Sequence, residues 1–145
     1  MGTLTVRHWI DTSPAEVWRA YTTPDLFARF FSPEGLSIPL ESVVVEMQEG
    51  GRFECTMVVD ETGERHETTG IIVEVDEPNR FVGQIASMGI VSVQSFLADQ
   101  GGTLITVSQS DLPTEVVTDP EVREAFRSSY RKLGRVLGVR TENRD

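Results

Sequence analysis

TDPEVREAFRSSYRKLGRVLG, residues 118–138, is the stretch on which the fold turns. Asp119 can cap a helix, and Pro120 fits the first helical position, where the N–H it lacks would be unpaired anyway. Val122, Phe126, Ser129/Tyr130, Leu133 and Val136/Leu137 then recur at helical spacing and form one apolar stripe. Gly138 ends the helix, because glycine tolerates a left-handed backbone. At ~1.5 Å per residue the span from Pro120 to Leu137 is roughly 27 Å long, enough to cross a whole sheet.

What precedes it is mostly strand. Arg52–Val59 alternates, with Phe53, Cys55, Met57 and Val59 on one face and Arg52, Glu54 and Thr56 on the other. Glu49-Gly50-Gly51-Arg52 before it and Asp60-Glu61-Thr62-Gly63-Glu64 after it read as turns. Further strands are expected at Glu41–Gln48, Glu67–Val75, Phe81–Ala86, Ile90–Leu97 and Thr103–Gln109, joined by connections short enough for an antiparallel meander. In Glu67–Val75, alternation places Ile71, Val73 and Val75 inward and Glu74 on the open face; a slip of one residue reverses this.

At the other end, Thr3–Ile10 reads as a strand. Ser13, Pro14 and Glu16 form a capping-box start for a helix carrying Val17, Trp18 and Tyr21. Thr23-Pro24-Asp25 starts a second short helix through Leu26, Phe27, Phe30 and Phe31, separated from the first because proline disfavours helical backbone in the residue before it. The expected class is therefore α+β: an antiparallel sheet of six to seven strands curved around a long C-terminal helix, with two short helices after the first strand. A sheet that is half polar must bury its apolar face, and the terminal stripe is the only element long enough to cover it. Residues 1–139 are expected to form one domain, with residues 140–145 as a flexible polar tail.

The 145 residues carry 23 acidic and 13 basic side chains, a formal net charge of −10. Nucleic acids and anionic membranes are bound by neutralising phosphate with Lys and Arg, so this field opposes both. No run approaches ~18 apolar residues, so no membrane span is expected. Arg7, Asp11 and Glu16 interrupt any signal-peptide core, and a cytoplasmic location follows by default. Cys55 is the only cysteine, and with His8 and His66 on separate strands there is no close pair of metal ligands. The chain has no phosphate loop, dinucleotide fingerprint or nucleophile elbow. No metal or cofactor is expected.

Several motifs appear in a telling order: Ser13-Pro14-Ala15-Glu16-Val17-Trp18, Thr23-Pro24-Asp25-Leu26, Phe30-Phe31-Ser32-Pro33-Glu34-Gly35, Gly50-Gly51-Arg52-Phe53 and Glu74-Val75-Asp76-Glu77-Pro78-Asn79-Arg80-Phe81. Together they resemble the bacterial AHSA-type proteins, homologues of the activator of the heat-shock protein 90 ATPase in the START-related SRPBCC superfamily. The resemblance runs from Val6 to Leu137. It implies a helix-grip fold with a cavity between sheet and long helix, often built to hold a small apolar molecule. Phe30-Phe31 stands where that family usually carries Trp-Trp, and Ala125-Phe126 where it usually carries Gly-Trp. Each exchange shrinks an aromatic and removes an indole N–H, so the implied pocket is roomier and drier than the usual one.

The candidate ligand-binding residues are Trp18, Phe27, Phe30, Phe31, Phe53, Met57, Phe126, Ser129 and Tyr130. Their plain alternative is a solid core, and for Ser128 and Ser129 it is close helix-on-sheet packing. A sealed empty cavity of roughly 300 Å³ would cost about 7 kcal/mol at ~24 cal/mol per Å³, so either the space is small or something fills it. The leading expectation is non-enzymatic binding of a small apolar ligand by a monomer or homodimer. The resemblance leaves open a protein-interaction module acting on a chaperone ATPase, with a stress-response role. A cyclase- or dehydratase-type enzyme also stays open, its acid–base groups drawn from His8, Glu74 or Tyr130.

Overall fold

The computed structural model describes residues 1–145, the side chain of Ala86 apart. Strand β1 (Gly2–Ile10) leads into α1 (Pro14–Thr22) and α2 (Pro24–Phe30). Strands β2 (Leu36–Ser37), β3 (Val44–Val45), β4 (Arg52–Val59), β5 (Arg65–Asp76), β6 (Arg80–Ile85), β7 (Ile90–Asp99) and β8 (Gly102–Leu112) follow. The chain then forms α3 (Thr114–Thr118), α4 (Pro120–Leu137) and β9 (Thr141–Asn143). All nine strands join one open antiparallel sheet in the order β2-β4-β5-β6-β7-β8-β1-β9, with β3 also on β4. Six of the strands are long; β2, β3 and β9 are two or three residues each.

The helix signals act as the residue chemistry dictates. Ser13 accepts a hydrogen bond from the Glu16 N–H at 3.2 Å, and Asp119 accepts one from the Glu121 N–H at 2.9 Å. Gly138 takes the left-handed conformation, φ 70°, that closes α4. The capping box at Ser13 is one-sided, because the Glu16 carboxylate pairs with Arg19 at 2.6 Å instead of reaching back.

The apolar stripe of α4 packs on the inward face of the sheet. Leu133 is fully buried, and Tyr130 stacks on His8 of β1 with ring centroids 5.6 Å apart. Polar contacts tie the helix to the end of α2 and the segment after it. Ser129 Oγ donates to the Phe30 carbonyl at 2.8 Å, and Ser128 Oγ accepts from the Glu34 N–H at 3.0 Å. Lys132 Nζ donates to Ser32 Oγ and to the carbonyls of Pro33 and Leu36, each at 3.1 Å.

Three expectations need correction. Glu41–Gln48 is not a continuous strand: a 3₁₀ turn spans Leu40–Ser42, and only Val44 and Val45 pair with β4. The Ser42 hydroxyl takes the Thr56 N–H at 3.1 Å, replacing a ladder bond that a neighbouring strand would make. On β5, Ile72 is fully buried whereas Ile71 and Val73 are 51% and 44% exposed. A bulge between Ile72 and Glu74 absorbs one residue, so Thr68, Gly70 and Ile72 face inward before it and Val75 after it. Glu74 still faces outward, where it pairs with Arg80 at 2.7 Å.

Finally, the segment read as a flexible tail pairs with the free edge of β1 as β9. Its polar side chains find partners. The guanidinium groups of Arg140 and Arg144 lie 4.9 and 5.3 Å from the Trp9 ring, and Asp145 accepts from Arg123 at 2.8 Å and Arg127 at 3.2 Å. Removing residues 140–145 is expected to strip β9 and both cations from Trp9, costing on the order of 2 kcal/mol. Urea unfolding followed by tryptophan fluorescence should show an earlier midpoint and a red-shifted native emission; an unchanged midpoint would refute the clasp.

Candidate functional site

One side of α4 lies against β1, with Tyr130 stacked on His8 and Arg123 donating to the Thr5 carbonyl at 2.7 Å. Between its other side and β4–β8 lies a cavity of about 510 Å³ with an open mouth. Its roof is Val122, Ala125, Phe126, Ser129 and Tyr130 of α4. The floor is made of inward positions with little bulk: Gly70 on β5, Gly83 on β6 and Ser92 on β7. Gly83 and Ser92 oppose each other across β6 and β7, so two low positions lie side by side, flanked by Ile72 of β5 and Gln109 of β8. Space exists there because no large side chain projects from these positions.

Aromatic rings form one wall. Phe31 meets Phe53 at 5.6 Å, Phe53 meets Phe81 at 5.9 Å, and Tyr21 meets Phe81 at 5.8 Å between centroids. Of the residues proposed from sequence, Phe31, Phe53, Met57, Phe126, Ser129 and Tyr130 line the cavity. Trp18, Phe27 and Phe30 do not reach it; they are buried in the core behind the wall. The Ser129 hydroxyl is engaged with the Phe30 carbonyl, which favours its role as a packing contact.

Sequence reasoning missed Tyr21 and the polar floor residues Gln94 and Gln109. The signal for Gln94 was present: it shares a period-two face with Phe96, which is fully buried. Gln94 is 7% exposed, and its Oε1 has no hydrogen-bond partner. The wall is therefore less dry than the aromatic exchanges imply. Tyr21 and Tyr130 both line the cavity, and burial pushes each phenol well above its usual pKa, keeping both neutral. The charged groups of the lining are Asp119 and Glu121; none is basic.

Of the three acid–base candidates, only Tyr130 lines the space. Glu74 is outside, exposed and paired with Arg80. His8 lies beneath α4, with neither ring nitrogen partnered. Cys55 is buried on β4, and that burial pushes its thiol to about 11, so it stays protonated. Among the described residues no three His, Cys, Asp or Glu side chains converge as metal ligands, and no helix is long and apolar enough to cross a membrane.

Comparison with known proteins agrees with the fold. A protein-family model described as Activator of Hsp90 ATPase homolog 1-like protein matches residues 11–138. No curated protein matches the sequence. A solved structure from Nitrosomonas europaea is similar at 20% identity and TM-score 0.84, covering 94% of each chain. One from Rhodobacter sphaeroides is similar at 20% identity and TM-score 0.83, covering 94% of this chain and 92% of that chain. An AHSA1-like protein from Aeromonas hydrophila is similar at 20% identity and TM-score 0.78, again covering 94% of this chain and 92% of that chain. At these identities the likeness shows the helix-grip fold.

His8 gives this region a pH dependence. Burial, then the positive charges of Arg131 and Arg127, lowers its pKa from 6.5 to about 4, against the opposing pull of Asp145 and Glu124. Protonation therefore favours the unfolded chain. The His8 contribution is complete above pH 6.5 and is lost as pH falls toward 4, by roughly 2–3 kcal/mol at pH 4.5. Urea titrations at pH 7.5 and 4.5 should show that His8→Phe, which keeps a ring against Tyr130, removes about that much of the acid destabilisation. Equal acid sensitivity in both proteins would contradict this assignment.

Proposed function

We propose that this chain, which belongs to the family of Activator of Hsp90 ATPase homolog 1-like proteins, binds a small apolar molecule in the cavity beneath α4 and acts on it by binding alone. The observation that carries the reading is the cavity itself: about 510 Å³, roofed by a helix and walled by aromatic rings, in the range of small-molecule sites. Sealed and empty, a space of that size would cost about 12 kcal/mol at ~24 cal/mol per Å³, comparable to the whole stability of a typical domain. The open mouth avoids that cost by letting solvent or ligand in.

Gly83 offers a direct test. A Cβ built there meets only the Ile71 carbonyl oxygen, at 3.9 Å, so a side chain fits without backbone movement and projects into the cavity from its floor. Valine also suits a strand better than glycine does. Gly83→Val should therefore weaken binding of the neutral dye Nile red at least tenfold while leaving the melting temperature unchanged or higher. Undiminished dye binding by a folded Gly83→Val protein would count against the cavity as the site. Native mass spectrometry of freshly purified protein should in addition reveal a retained small molecule.

The family's description supports a second reading, a module that acts on a chaperone ATPase. Such a role would use the outer surface, so Gly83→Val would leave it intact. A chaperone ATPase assay with wild type and Gly83→Val in parallel separates the two readings.

A further inference from the structure

We propose that the ligand is a neutral molecule with an apolar body and one hydroxyl-type polar group, recognised by the Gln94 carboxamide together with the Tyr21 and Tyr130 phenols. The inference rests on the cavity-binding reading above and narrows it to a ligand class.

Gln94 is nine-tenths buried and lines the cavity, yet its Oε1 finds no donor in the protein. A buried amide oxygen left without a partner is a standing cost, which a donor brought by a ligand removes. The position is also well placed. Gln94 opposes Phe81 across the β6–β7 pair, and the Tyr21 ring packs on Phe81 at 5.8 Å, so amide and phenols share one end of the aromatic wall. The Tyr21 and Tyr130 hydroxyls are neighbours, and both remain protonated. The last torsion of a glutamine is broad, so its amide can turn either the oxygen or the NH₂ toward a ligand. A phenol likewise donates and accepts. A hydroxyl does both as well, and satisfies this set in any orientation.

Charge sets the other limit. The lining contains no Lys, Arg or His, while Asp119 and Glu121 stand on it and the chain carries a formal net charge of −10. A carboxylate or phosphate head would lose its hydration against an apolar wall and gain no cation in return. Anionic amphiphiles such as fatty acids are therefore excluded, although their tails would fit.

A matched series separates these claims. Nile red bound to the wild-type protein is displaced with naphthalene, 1-methoxynaphthalene, 1-naphthol and 1-naphthoate. The expected order puts 1-naphthol about tenfold tighter than naphthalene and 1-methoxynaphthalene, the worth of one net hydrogen bond, with 1-naphthoate weakest. In Gln94→Leu, naphthalene still binds and the advantage of 1-naphthol shrinks to about twofold or less. Equal binding of 1-naphthol and naphthalene by the wild type, or 1-naphthoate binding as tightly as 1-naphthol, overturns the ligand class and leaves the cavity reading in place. A tenfold preference that survives in Gln94→Leu overturns the role of Gln94. Failure of Nile red and naphthalene to bind at all overturns both readings. The wild-type series decides the ligand class whatever the stability of the variant.

Discussion

The structure depends on one asymmetry: α4 is fixed along the side that faces β1 and stands clear of the strands opposite. Its C-terminal half is held by Leu133 in the core, Tyr130 on His8, and the hydrogen bonds of Ser129 and Lys132 to the end of α2 and the segment after it. Those contacts place the helix at a height set by large rings. Over β5, β6 and β7 the inward positions include Gly70, Gly83 and Ser92, and from these no large side chain rises to meet the helix. Cores are packed to near-crystalline density. A gap of this size between two well-anchored layers therefore reflects where bulk is supplied and where it is withheld.

The polar anchors explain why the gap does not collapse. Closing it would require α4 to tilt toward β5, and a tilt would pull Ser129 from the Phe30 carbonyl and Lys132 from its three oxygen partners. Each lost bond leaves a group buried or half-buried without a partner, at about 1–3 kcal/mol apiece. At the other edge of the sheet β9 performs a related task. It covers the free edge of β1 and brings Asp145 onto Arg123 and Arg127, so the chain end braces the outer side of α4. Gly134 allows this closeness, because a Cβ there would meet Thr141 Cγ2 at 2.6 Å and the Val139 carbonyl at 2.9 Å.

Much of this was legible from residue order. The caps at Ser13 and Asp119, the stop at Gly138 and the limits of β4 all follow from local chemistry, and local chemistry is what a sequence displays. What it hid was decided by partners far along the chain. Ser42 ends a strand by bonding Thr56, and the bulge after Ile72 answers the needs of β6, so a strict alternation put Ile71 and Val73 on the wrong face. Arg140 and Arg144 look like solvated charges until Trp9 lies beneath them. The candidate site divides the same way. Phe31, Phe53, Met57, Phe126, Ser129 and Tyr130 reach the cavity, but Trp18, Phe27 and Phe30 stop short of it. On α1 both Trp18 and Tyr21 point to the core, and only Tyr21 ends at the cavity, a difference no periodicity encodes.

The composition of the wall also bears on why an interior site would keep polar groups at all. A cavity meant only for hydrocarbon would be served best by a uniformly apolar lining, since every unpartnered amide or hydroxyl subtracts from stability. Gln94, in the middle of a strand whose neighbours on that face are Ser92 and Phe96, breaks that rule at a position where leucine or valine would suit the sheet better. Water entering by the mouth can meet part of the polar demand while the site is free. A ligand that expels this water must then replace its hydrogen bonds or bind less tightly than its apolar area promises. Shape and apolar area thus supply most of the attraction, and the polar end decides which of the molecules that fit are retained.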